Sequence, residues 1–75
     1  MGKTTLNRRI EMLINALRHN EASFSRALDE WPRTTNRIVL GHHGASVGYI
    51  AKILVVFPSV NARWLILGEG EMFLN

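Results

Sequence analysis

The stretch from Asn20 to Gly41, NEASFSRALDEWPRTTNRIVLG, holds two helix-forming runs separated by a break, and the place of that break decides the fold. Asn20 suits an N-cap, because its side-chain oxygen can accept a backbone N–H that the first turn leaves unpaired. Phe24, Ala27 and Leu28 supply the apolar side of the helix it opens, which is predicted to end near Asp29. Trp31-Pro32 marks the break: the residue before proline is pushed out of helical geometry, while proline itself fits a first helical turn. The second run therefore starts at Pro32 and extends to Leu40, and Gly41 closes it by taking the left-handed conformation at low steric cost. At 3.6 residues per turn, Arg33, Thr34, Asn36 and Arg37 share one sector of this helix, and Thr35, Ile38 and Val39 share the other.

Outward from this centre, Leu6, Ile10, Leu13, Ile14 and Leu17 recur at three- and four-residue steps and predict a helix reaching about Arg18. Arg8, Arg9, Glu11 and Arg18 fall mostly elsewhere around it. On the other side, Gly41 to Ala45 reads as a loop. Ser46 caps a helix whose inward face is expected to be Val47, Ile50, Ala51 and Leu54, and Pro58 stops it. Asn61 caps a last short helix, Ala62 to Leu67, with Trp64 and Leu65 inward and Gly68 as its close. The prediction is one all-α domain over residues 1–75, with five helices and no sheet. Residues 1–5 read as a flexible lead-in and 69–75 as a tail or linker.

Composition supports a single packed unit. A chain of 75 residues buries only about 60% of its unfolded surface, which rules out two separate cores. Hydrophobic residues make up 47% of it, enough to fold, and the absence of cysteine excludes both a disulfide framework and a thiolate metal site. Nine basic residues face six acidic ones. Up to Gly68 the balance is nine against four, a surplus suited to an anionic partner. No signal-peptide pattern opens the chain, and the longest apolar run, Ile50 to Phe57, is too short to span a bilayer, so a cytoplasmic protein is expected.

Two helices joined by a turn of three or four residues, the second short and basic, make the motif that enters a major groove. Arg33 and Arg37 lie one turn apart and point the same way. A guanidinium can donate two parallel hydrogen bonds to O6 and N7 of guanine, which discriminates bases by about 1–3 kcal/mol. Asn36 suits adenine or a phosphate, and Thr34 a thymine methyl or a phosphate oxygen. Without the preceding helix and turn, two arginines on one face would read more simply as a solvated surface.

Other signals carry less. Gly2-Lys3-Thr4-Thr5 lacks the first glycine and the strand of a phosphate-binding loop, and Leu6 stands where myristoylation needs serine or threonine. His42-His43 has no further ligand at metal-binding spacing. Ser46 and His43 lack an orienting acid, and capping is the simpler role for the serine. Trp31 and Trp64 read as core rather than as stacking platforms. No catalytic activity and no cofactor are expected.

From Arg9 to Phe73 the chain resembles the lambda-repressor-like, XRE-type helix-turn-helix family, whose DNA-binding part ends in a motif like NPxWLLTGEGEM. Here that ending is Asn61-Ala62-Arg63-Trp64-Leu65-Ile66-Leu67-Gly68-Glu69-Gly70-Glu71-Met72. Phe24 and Leu28, Ile38 and Gly41, Ser46, Lys52-Ile53-Leu54 and Phe57-Pro58 match in the family's order. The chain differs at Ser25 (commonly alanine), Asp29 (glycine), Trp31 (a Ser or Thr cap), Thr35 (an aliphatic) and Leu40 (a polar residue).

The resemblance implies a compact five-helix domain that binds double-stranded DNA sequence-specifically, as a repressor. It places Arg33, Thr34 and Arg37 at base edges, and Glu21, Asn36, His42, His43 and Ser46 along the groove wall and backbone. It also implies a weak homodimer on half-sites about one helical turn apart. Met72, Phe73 and Leu74 would be exposed for that contact or lead into a C-terminal regulatory domain of a longer protein. Asp29 and Glu30 oppose phosphate unless they point away or pair with Arg26 or Arg33. The competing reading is a degenerate helix-turn-helix that serves as a protein-interaction or antitoxin-like module.

Overall fold

The helix boundaries follow from capping chemistry at almost every end. The computed structural model describes residues 4–74, with α1 at Leu6–Ala16, α2 at Glu21–Ala27, α3 at Pro32–Val39, α4 at Val47–Val56 and α5 at Ala62–Leu67. Thr5, Ser46 and Asn61 each accept a backbone N–H of the helix they open. Asn20 does more: its Oδ1 accepts from the Ser23 N–H at 2.8 Å while its own N–H donates to Ser23 Oγ at 3.0 Å. Such a reciprocal pair satisfies two otherwise orphaned donors and is worth about 1 kcal/mol. Trp31 gives α3 no side-chain cap, and Pro32 in the first turn brings no N–H that would need one.

The first three helices end alike. Arg18, Asp29 and Gly41 take left-handed conformations with φ of 60°, 55° and 79°. The N–H of each bonds back to Asn15, Arg26 and Ile38, and the next N–H in each case reaches Ile14, Ser25 and Arg37. This double closure uses the last free carbonyls of each helix. Only at Gly41 is the residue free of the steric cost of positive φ. Asp29 takes a geometry that more often falls to glycine.

Burial of side chains from every helix holds these short rods together, since helices of seven or eight residues are marginal alone. Ile10, Leu13 and Ile14 of α1 meet Phe24 and Leu28, Ile38, Tyr49 and Ile53, and the C-terminal Val60, Trp64 and Leu65. Each large apolar side chain so buried contributes about 1.5–3 kcal/mol. Phe24 and Phe57 stack with ring centroids 5.5 Å apart, and His19 meets both edge-on. Among the described residues there is no strand, only an isolated antiparallel bridge between Val60 and Phe73.

Five expectations are corrected. On α4 the inward residues are Tyr49 and Ile53, with Ile50 and Leu54 half-buried, while Ala51 is exposed and Val47 is 85% exposed. The helix is turned so that the tyrosine hydroxyl reaches Thr35 on α3, a demand that apolar periodicity does not register. Arg9 lies inside, only 4% exposed. Its Nε donates to Leu65 O at 2.8 Å, its Nη2 to Ile66 O at 3.0 Å, and its Nη1 to Thr4 O. It thereby supplies donors to carbonyls in the last turn of α5, where a cation is favoured. Gly68 leaves room for this: a Cβ there would lie 3.1 Å from Arg9 Nη1.

Trp31, expected in the core, is 80% exposed, because the chain turns outward at the break before Pro32. The fourth correction concerns the C-terminal end, which folds back rather than trailing away. The Asn61 N–H donates to Met72 O, Asn61 Nδ2 donates to Glu71 O, and the Leu74 N–H donates to Ser59 O. Met72 and Phe73 pack against the core, leaving Leu74 as the exposed apolar side chain of that trio. Thr4 and Thr5, read as flexible, hold Arg9 and cap α1; Met1 to Lys3 and Asn75 lie outside the described residues.

Candidate nucleic-acid interface

Helix α3 divides as its spacing predicts. Thr35 and Ile38 are buried and Val39 is half-buried, while Arg33, Asn36 and Arg37 are exposed and Thr34 is half-exposed. The four residues Leu28 to Trp31 connect α2 to α3, and the two helices pack directly on one another. Among the described residues, the ion pairs join Arg8 to Glu11, Lys52 to Glu30 and Arg63 to Glu69; Arg33 and Arg37 take part in none. The face therefore presents two guanidinium groups one turn apart with their donors unspent on carboxylates.

The acidic neighbours are engaged elsewhere. Glu21 accepts from Asn36 Nδ2 at 2.9 Å, which joins the start of α2 to the middle of α3. Glu30 pairs with Lys52 of α4 at 2.5 Å, not with Arg26 or Arg33. Asp29 remains exposed. His42 and His43 are exposed on the loop after α3, and Ser46 is exposed with its Oγ accepting the Tyr49 N–H. Asn7, which no local pattern singles out, holds that loop: its Nδ2 donates to both Ile38 O and His43 O at 2.9 Å.

Beneath the face runs a chain of buried hydroxyls. Ser25 and Thr35 are fully buried and their oxygens lie 2.6 Å apart; Thr35 Oγ1 is 2.7 Å from the Tyr49 hydroxyl, and Ser25 Oγ is 2.7 Å from Glu21 O. Each hydroxyl has one proton to give, and a carbonyl only accepts. Ser25 therefore donates to Glu21 O and accepts from Thr35, and Thr35 in turn accepts from Tyr49. The two hydroxyl residues Ser25 and Thr35 thus answer each other. A signal for this was present in sequence: two small hydroxyl residues on otherwise apolar sectors, and one tyrosine four residues before Ile53.

Burial pushes the Tyr49 hydroxyl above the ordinary tyrosine value, the hydrogen bond with Thr35 opposes this, and the charges of Glu30 and Glu21 add to the rise. An unfolded tyrosine ionises near pH 10, so above that pH the unfolded chain binds fewer protons and stability falls as pH rises toward the folded value. Tyr49 is the only tyrosine of the chain. Tyrosinate absorbance should therefore titrate above pH 10 in the native protein and near pH 10 in concentrated urea; coincident midpoints would contradict the buried chain.

Among the described residues no group of three or more His, Cys, Asp or Glu side chains is placed to hold a metal ion, and no helix is long and apolar enough to cross a membrane. No family model, curated protein or solved structure matches the chain.

Proposed function

We propose that this chain is a sequence-specific double-stranded DNA-binding domain of the lambda-repressor-like, XRE-type helix-turn-helix kind, acting as a transcriptional repressor. The observation that carries the reading is the exposed, carboxylate-free pair Arg33 and Arg37 on a short helix that directly follows a helix and a four-residue turn. In this reading α3 enters the major groove, with Arg33, Arg37 and Thr34 at base edges. Asn36, with Glu21 oriented against it, lies at the groove wall, while His42, His43 and Ser46 offer donors to the phosphate backbone. One helix of this length reads few base pairs, so two copies act together on half-sites about one turn apart.

The test is fluorescence anisotropy with mixed-sequence duplex DNA at two salt concentrations. Phosphate neutralisation lowers log K with log salt by about 0.9 per contact, so several contacts produce a steep loss. Binding that is absent at low salt favours the protein-interaction module instead. Selection of duplexes from a random pool then gives the preferred half-site.

A further inference from the structure

The hydroxyl chain joins α2, α3 and α4 at one buried point directly behind the exposed arginines. Thr35 lies between Arg33 and Arg37 in sequence and on the opposite side of α3. Its single hydroxyl oxygen is held from two directions, by Ser25 of α2 and by Tyr49 of α4. Apolar packing such as that of Ile38 is tolerant of small rotations, whereas a hydrogen bond weakens steeply with misalignment. Two such bonds on one atom resist rotation of α3 about its own axis. That rotation determines where a guanidinium one turn away ends.

We infer that Tyr49 is a positioning residue: through Thr35 it sets the rotation of α3, and so determines which base edges Arg33 and Arg37 reach, although Tyr49 itself is buried away from the interface. This inference rests on the DNA-binding reading above. Tyr49→Phe is the informative change because the tyrosine heads the chain. Its ring still fills the core, Thr35 still donates to Ser25, Ser25 still donates to Glu21 O, and no buried donor is orphaned. The charge on the face is untouched, so the phosphate-driven part of binding stays as it was.

The experiment compares wild type and Tyr49→Phe on the duplex selected by the wild type and on random duplex, at several salt concentrations. The expected result is unchanged affinity and salt slope on random DNA, with preference for the selected duplex reduced at least about fivefold, the lower bound for losing one bidentate contact. Thr35→Ser, which keeps the hydroxyl chain, should retain the preference. Undiminished preference in Tyr49→Phe overturns the inference. Should that variant not fold, Thr35→Val/Tyr49→Phe, which also orphans no donor, is judged by the same ratio.

If the wild type itself prefers no duplex, the DNA-binding reading fails first. The positioning claim is then decided on the free protein by NMR. In Tyr49→Phe the amide shifts of residues 33–37 should move while those of α1 and α5 stay; unmoved α3 amides overturn it.

Discussion

Replacing Arg33 and Arg37 together by alanine should abolish discrimination between the preferred duplex and random DNA while leaving the protein folded. Both side chains are exposed and neither spends its donors on a carboxylate among the described residues, so their removal takes nothing from the core, and alanine favours the helix. Two bidentate contacts are together worth about 2–6 kcal/mol of discrimination, if additive, or roughly thirtyfold at the low end. The double lysine variant separates charge from geometry. It keeps both positive charges and hence the salt-dependent affinity, but an ammonium cannot present the planar fork that guanine edges accept. Arg33→Lys/Arg37→Lys should therefore bind all duplexes alike. Full preference retained in the lysine variant would remove both residues from the reading role.

Arg9→Ala should destabilise the domain by about 2–4 kcal/mol, because hydrogen bonds made by a charged donor contribute about 1.5–3 kcal/mol each and the side chain that donates them is itself buried. For a chain of this size that lowers Tm by at least about 8 °C, at 4–8 °C per kcal/mol. Arg9→Lys should rescue little of it: one ammonium on a flexible stem cannot occupy Leu65 O, Ile66 O and Thr4 O together as the guanidinium does. Thermal unfolding followed by circular dichroism measures both variants. A drop of less than about 2 °C in Arg9→Ala would show the clamp to be energetically idle.

The parts of the fold legible in sequence were those governed by neighbours a few residues apart. Asn20, Ser46 and Asn61 cap where their chemistry places them, and Pro32, Gly41 and Gly68 mark boundaries through backbone geometry alone. The two sectors of α3 were equally readable, because 3.6-residue periodicity depends only on local spacing. Arg9 was not readable. Its acceptors on α5 lie 56 and 57 residues away, and nothing local separates a buried arginine from a solvated one. The face of α4 was misread for a related reason: Val47 and Ala51 satisfy an apolar pattern, but the partner that orients Tyr49 belongs to α3. Trp31 shows the opposite error, since its size argued for burial and the outward turn before Pro32 prevented it.

The buried hydroxyls also bear on how the sequence can drift. Valine at 35 alone strands the tyrosine's proton in an oily interior, and alanine at 25 alone strands one proton further along, so both are penalised as first steps, whereas phenylalanine at 49 alone strands none. Alanine, valine and phenylalanine installed at 25, 35 and 49 together leave nothing stranded. The order of change is therefore constrained: phenylalanine at 49, then valine at 35, then alanine at 25 strands no proton at any stage, so descendants of this chain should lose the polar trio from the tyrosine end.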